Sequence, residues 1–324
     1  MHVTLIPGSG LGPEIAEVAC AAVAAAGVSI DWDLQADGLD AMVASVRRTG
    51  LALKGKILSP VTPGTQPFTI RFRKALGVHA IVRHVVHVPG LPARVPATDI
   101  VIVREASEDI YSGFEHESTA GVFESVKVTT RAACERIATF AFDYAQARGR
   151  KRVTTVHKAN ILKKSDGMFL ATSREVAARY PSIQHDDIIV DALCMRLVRR
   201  PTDFDVLLCG NLFGDIVSDC AAGKAGGITV AGGICHASPE LGGGAVIFES
   251  PHGTSVEIVG PDGANPYALT LLAADLCAHI GRPDAAVRIR GAVSHALTSG
   301  LHTQDMGGTA TTSAIRDSLL SFLR

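Results

Sequence analysis

Asp215 and Asp219 stand four residues apart, just after an apolar run from Val206 to Cys209 and inside a helix-like run that opens at Asn211. Side chains at that spacing share one helix face. Two like charges so close repel each other, and a divalent cation between them would turn the repulsion into a binding site. A helix with a solvated acidic face is the alternative. The position beyond a strand end favours the metal reading, because open α/β sheets bind their ligands there.

Other chemistry-bearing residues follow strand-like runs in the same way. Arg73, Arg83 and Arg104 would grip a substrate with two or three carboxylates if they converge on a cleft, and Arg71 adds a fourth guanidinium. Arg71 and Arg73 sit two apart in a strand-like segment, which predicts one shared face. Singly, each arginine is equally a surface residue. Tyr111 lies in an unusually polar segment leaving the Ile100–Val103 run and could donate a proton, although a lone tyrosine is more often packed. Lys158 ends the Val153–Val156 run, where desolvation would lower its pKa toward that of a base. Asp191 could be a third metal ligand or a helix cap. Beyond Ala245–Phe248, the loop carrying Glu249, His252, Gly253 and Thr254 can approach a flat ligand closely. Glu257 could accept hydrogen bonds from ribose hydroxyls and would repel a 2′-phosphate. The turn Gly8–Gly12 spaces its glycines as G-x-G-x-G, which fits a tight structural turn better than a dinucleotide fingerprint.

The chain that positions these groups has 324 residues, 47% hydrophobic and 19% charged, with net charge −1. That allows a large core and excludes wholesale disorder. No basic stripe points to nucleic acid, and no apolar run is long enough for a membrane span. The seven scattered cysteines contain no C-x-x-C and read as reduced thiols of a cytoplasmic protein. Strand and helix signals alternate: Val3–Ile6, a helix opened by Pro13 and stopped by Gly27, the Ile100–Val103 strand, a helix over 129–148, the Val153–Val156 strand and a helix over 165–180. The pattern predicts an α/β protein with a largely parallel sheet. A proline-rich crossing near 89–96 and a glycine-dense one over 223–244 predict two domains. Residues 1–95 and 235–324 would join into one domain and 96–234 form the other, with a cleft between them that suits a small molecule.

The stretches Ile6–Glu14, Arg104–Gly113, His157–Asn160, Asn211–Asp219, His252–Thr254 and Ala264–Pro266 occur in an order that resembles the β-decarboxylating dehydrogenases, the isocitrate/isopropylmalate dehydrogenase family. The wording of the Ser107–Ser112 and His157–Ile161 stretches is most similar to NAD-dependent isocitrate dehydrogenases. The resemblance implies a two-domain α/β fold with a mostly parallel sheet that is not a true Rossmann fold. It implies NAD, Mg²⁺ or Mn²⁺, and oxidation of a 2-hydroxy acid bearing a 3-carboxylate with loss of CO₂. By the same resemblance Lys158 is the base and Tyr111 the proton donor. Asp191, Asp215 and Asp219 hold the cation. Thr69, Arg73, Arg83, Arg104, Asn160 and, by its proximity, Arg71 bind substrate. Glu249, His252, Gly253, Thr254, Glu257 and Asn265 serve the cofactor. Lys158 and Asp191 would cross from the partner in a homodimer.

The departures fall where substrate identity is set. Pro67 and Thr69 stand where isocitrate enzymes carry Ser and Asn, Ala106 stands for an Asn, Ser9 for an Asp, and Gly210 for a Pro. The expectation is therefore isocitrate or an analogue with a different distal group. D-malate, tartrate and a phosphonate-bearing acid are same-family alternatives, and a non-catalytic regulatory subunit is the different-class alternative.

Overall fold

The computed structural model describes residues 1–36, 38–58, 66–251 and 260–324. Among them, ten strands join in one sheet: β1 (His2–Ile6), β2 (Asp31–Leu34), β3 (Leu51–Lys54), β4 (Val78–Val86), β5 (Asp99–Glu105), β8 (Arg152–His157), β9 (Gln184–Ile189), β10 (Val206–Cys209), β11 (Gly233–Ala237) and β12 (Val246–Glu249). Their order is β2-β1-β3-β12-β11-β4-β5-β10-β8-β9. Both flanks are parallel, and the antiparallel pairings sit at the centre, where β11 and β4 run between β12 and β5. The mostly parallel mixed α/β sheet agrees with the sequence reading. The parallel strand expected at Ile100–Val103 is only half so: β5 is parallel to β10 and antiparallel to β4.

Burial on both faces explains the unbroken apolar runs. On β5, Ile100 and Ile102 join a core with α1 (Gly12–Ala25) and α7 (Asn211–Ala225), whereas Val101 and Val103 join one with α4 (Arg131–Ala147) and α5 (Ser165–Ala177). β10 splits in the same way, with Leu207 and Cys209 on the first side and Val206 and Leu208 on the second. The first core also takes α8 (Tyr267–His279), α9 (Pro283–Thr298) and α10 (Thr312–Leu323). A third core sits under α2 (Leu39–Thr49) and α3 (Phe68–Ala75). Pro13 opens α1 as expected, and Thr130 caps α4 through its side chain. The antiparallel hairpin of β6 (Glu115–Thr119) and β7 (Val122–Ser125) stands apart from the sheet, fully exposed. α6 (Val190–Arg199) follows edge strand β9. No helix of the described residues is long and apolar enough to cross a membrane.

The segment with Arg71 and Arg73 corrects the strand-like reading. It is helix α3, begun at Pro67, which supplies the helix start but no side-chain cap. Two helical residues point about 200° apart around the axis. Arg71 is exposed, while Arg73 turns inward.

Candidate active site

The sheet's register lines up the site. Lys54 opposes Glu249, Glu249 opposes Gly233, and Arg104 opposes Ile81, two residues before Arg83. Because Ile234 opposes Val82, Gly233 stands level with Arg83. Successive strand residues alternate between faces, so Lys54, Glu249, Gly233, Arg83 and Arg104 share one side. Gly233 adds no side chain to this row, and a Cβ there would lie 3.2 Å from Ile81 Cγ2. The floor stays open beneath a cavity of about 230 Å³, whose walls include Lys56, Thr69, Arg73, Arg83, Asp215 and Asp219.

Helix α7 forms the acidic wall. It presses onto β5 at Gly214, where a Cβ would come within 2.6 Å of Arg104 Cγ. The next residue, Asp215, therefore meets the Arg104 guanidinium directly and accepts the Tyr111 hydroxyl at 2.6 Å. Arg104 Nε donates to Asn211 Oδ1 at 2.9 Å, and its guanidinium lies over the Tyr111 ring, 5.1 Å from the centroid. One turn on, Asp219 pairs with Arg83, which also approaches Asp215 at 3.9 Å. Burial alone would raise the Asp215 pKa, but Arg104 chiefly holds it below the usual carboxylate range. Burial, helped by the hydrogen bond to Asp215, pushes the Tyr111 phenol up to about 12. Tyr111 thus keeps its proton at neutral pH and can give it away only to a strongly basic carbon or oxygen.

Beneath this wall lies a buried ion triad. Glu249 accepts Lys54 Nζ at 2.7 Å and Arg73 Nε and Nη2 at 3.1 and 2.9 Å. Burial would raise the Glu249 pKa, but Arg73 and Lys54 outweigh it and keep the carboxyl ionised. Cys235 donates to the same carboxylate at 3.3 Å. The Glu249 carboxylate, expected to serve the cofactor, is paired here with Lys54 and Arg73 and positions the latter.

Lys158 and Asp191 form a second group. Lys158 follows β8, Asp191 opens α6, and the two pair with each other at the sheet's edge. Asn160 is exposed nearby. Among the described residues no three His, Cys, Asp or Glu side chains converge as a metal site, so Asp191 does not join Asp215 and Asp219 within one chain. A buried polar chain nevertheless links the two groups. Asp109, at φ 75° ahead of Tyr111, accepts the Leu212 backbone N–H at the start of α7 at 3.1 Å. Lys127 Nζ bridges Asp109 and Asp166 at 3.2 Å each, and Asp166 accepts the Lys158 backbone N–H at 2.7 Å.

His252, Gly253, Thr254 and Glu257 lie outside the described residues. Asn265 does not present a free amide to a cofactor: it donates to Thr229 and Asp305 at 3.1 and 2.9 Å and accepts from Tyr267 N at 3.0 Å. The sequence reading missed Lys54, Lys56, Asp109, Lys127, Asp166 and Gly214. Two of them carried a usable signal. Lys54 ends the apolar run Leu51–Leu53, and Gly214 interrupts a helix, which points to close packing.

Fold and site together define a large-sheet α/β protein with an arginine- and aspartate-lined cleft. The chain belongs to the isocitrate/isopropylmalate dehydrogenase family, whose sequence pattern matches residues 2–319. Members of that family are oxidative decarboxylating dehydrogenases. A regulatory subunit of the mitochondrial NAD isocitrate dehydrogenase from Dictyostelium discoideum is 40% identical over 326 residues, spanning 98% of this chain and 90% of that protein. Catalytic subunit 5 of the mitochondrial NAD enzyme from Arabidopsis thaliana is 38% identical over 332 residues, spanning 99% and 88%. The isocitrate dehydrogenase of Methylococcus capsulatus superposes with a TM-score of 0.92 at 38% identity, spanning 100% of this chain and 99% of that one.

Proposed function

We propose that this chain is a catalytic, NAD-dependent, divalent-cation-dependent dehydrogenase that oxidatively decarboxylates a 2-hydroxy-3-carboxy acid, isocitrate or an isocitrate-like analogue. The observation that carries the reading is that Arg73, Arg83, Arg104, Tyr111, Asp215 and Asp219 line two cavities that share Arg73 and are joined by the bonds from Asp215 to Arg104 and Tyr111. Guanidinium groups suit carboxylates. Asp215 and Asp219 offer oxygen donors on one face of α7, 36% and 69% exposed, and so fit a hard cation such as Mg²⁺ or Mn²⁺ with positions left for other oxygens. The carboxyl ends of the parallel strands β1, β3 and β12 border the cleft, the usual place for a dinucleotide in open sheets. When bound, the cation would polarise substrate oxygens and NAD would accept the hydride.

The chain's own residues do the rest. Arg73, Arg83 and Arg104 orient the carboxylates. Lys158 takes the hydroxyl proton, and Tyr111 returns one to the carbon that loses CO₂. Lys158 does not line the cavities that hold Tyr111 and the two aspartates of α7, so the proposal includes a homodimer in which Lys158 and Asp191 enter the neighbour's cleft. Exposed apolar side chains at Phe123, Ile161, Met195, Val198 and Ile216 support burial against a second copy. A cytoplasmic setting is part of the proposal and accords with seven free thiols. The presence of Tyr111, Lys158 and all three aspartates favours catalysis over a purely regulatory role.

The test is NADH formation with Mg²⁺ or Mn²⁺ across a panel of 2-hydroxy di- and tricarboxylates, with NADP in parallel. Turnover with NAD is expected, because the family resemblance assigns Glu257 to the cofactor and a carboxylate repels a 2′-phosphate. No turnover on any member would overturn the catalytic reading, and a preference for NADP would overturn the cofactor reading.

A further inference from the structure

We infer that Lys56, with Thr69 lining the same cavity, seats a third anionic group on the distal arm of the substrate. The inference rests on the dehydrogenase reading above and names the class of acid it takes.

The cleft's cations are otherwise engaged. Arg73 is held by Glu249, Arg83 by Asp219 and Arg104 by Asp215. Lys56 lines the same cavity, is exposed, and its ammonium makes no hydrogen bond or ion pair among the described residues. The Thr69 hydroxyl on the same wall is likewise unengaged among the described residues. Lys56 is not on a wandering segment. Gly55 N–H donates to Ile6 O at 2.8 Å, and Ser9 N–H to Lys56 O at 2.9 Å. Ser9 Oγ accepts Leu58 N–H at 3.1 Å. The approach is close enough that a Cβ on Gly8 would lie 2.5 Å from Lys56 O. Both sides of the Lys56 backbone are therefore fixed while its side chain is free to meet a ligand.

An uncompensated ammonium in a cleft already lined by guanidinium groups asks for more negative charge than two carboxylates bring. An apolar arm would desolvate Lys56 with nothing in return. A carboxylate or a phosphonate would be met by a charge-assisted hydrogen bond from Lys56 and a neutral one from Thr69. The shared requirement is an anionic arm.

The test compares wild type, Lys56→Arg and Lys56→Met, with NAD and Mg²⁺, on a 2-hydroxy tricarboxylate, its phosphonate counterpart, malate and an isopropyl-branched malate. Lys56→Met should lower kcat/KM for the two anionic-arm acids by about ten- to a hundredfold, chiefly through KM. Malate should change less than about twofold, and Lys56→Arg should retain the anionic-arm substrates. The ratio of the tricarboxylate to the phosphonate in wild type identifies which anion is native. Calorimetric binding of the tricarboxylate with Mg²⁺ and no NAD should weaken in Lys56→Met by the same factor. Unchanged anionic-arm kinetics, an equal loss on malate, or the branched acid as best substrate would each overturn the inference. If wild type turns over nothing, the dehydrogenase reading fails. The binding titration still judges Lys56, because equal affinity in wild type and Lys56→Met would reject it.

Discussion

The arginine-lined cavity and the Lys158–Asp191 edge are made of the same residue types, yet they are finished to different degrees. Around the cavity every arginine has a carboxylate partner, and the triad of Lys54, Glu249 and Arg73 supports it from the same face of the sheet. Among the described residues the Lys158 and Asp191 side chains form an ion pair only with each other, and Asp191 is 67% exposed. The cavity is preorganised within one chain. The edge pair is held by the Asp166 carboxylate on the Lys158 backbone, and neither Lys158 nor Asp191 is among the residues lining the arginine-bearing cavities. A base supplied across an interface has this form: a rigid backbone, an exposed head and a weak intrachain partner.

The largest effect should come from breaking the edge. Lys158→Ala should reduce kcat by about 10²- to 10⁴-fold with little change in KM, since a general base acts in the transition state. Tyr111→Phe should be impaired in its own right. Mixed under conditions of proven subunit exchange, the two variants should recover activity, because one cleft of the mixed dimer then holds an intact Tyr111 and an intact Lys158. Exchange without recovery would place both groups in one chain's site and remove the comparison.

Breaking the cavity's support should cost fold before chemistry. Lys54→Met leaves Glu249 paired with Arg73 and removes one buried charge-assisted hydrogen bond, which costs about 1.5–3 kcal/mol. A fall in Tm measures it. The Glu249 carboxyl is depressed below its ordinary 4.5, so the pair's contribution is fully present above that pH and is lost as pH falls toward the folded-state value. The stability gap between wild type and Lys54→Met should therefore narrow on acidification below about 4.5. A gap that widens would mean that Lys54 does not stabilise the ionised carboxylate.

A smaller contrast lies within α7 itself. Asp215 holds Arg104 and Tyr111, whereas Asp219 is more exposed and holds Arg83 alone. Asp215→Asn should lower Tm and also weaken Mg²⁺ activation. Asp219→Asn should weaken Mg²⁺ activation with stability within about 0.5 kcal/mol of wild type. Equal thermal losses would show that the two aspartates share one structural role.

Much of the fold was legible because both sheet faces are buried, so strands read as unbroken apolar runs and helices as periodic ones. The antiparallel centre was not legible, since an apolar run carries no sign of its direction. The Asp215–Asp219 pair was legible from spacing alone. The role of Glu249 was not: its partners come from Lys54, on a strand far away in sequence, and Arg73, on a helix with a strand-like sequence. Lys127 and Asp166 escaped for the same reason, as each acts through a contact that only the folded chain makes.

The smallest effect should be at Arg71, and it is the sharpest check on that lesson. A strand would put Arg71 beside Arg73 in the pocket. The helix α3 puts it on the opposite side, exposed, while Arg73 is fixed by two hydrogen bonds to Glu249. A neutral replacement there removes no side-chain partner among the described residues, opens no cavity and keeps a good helix former, so Arg71→Ala should leave Tm and stability within about 0.5 kcal/mol of wild type. KM for the best acid of the panel should be unchanged, whereas Arg73→Ala should raise it and leave the buried Glu249 carboxylate with Lys54 as its remaining cation. If Arg71→Ala instead raised KM as Arg73→Ala does, the substrate would have to reach around α3, and the distal charge assigned to Lys56 would belong to Arg71.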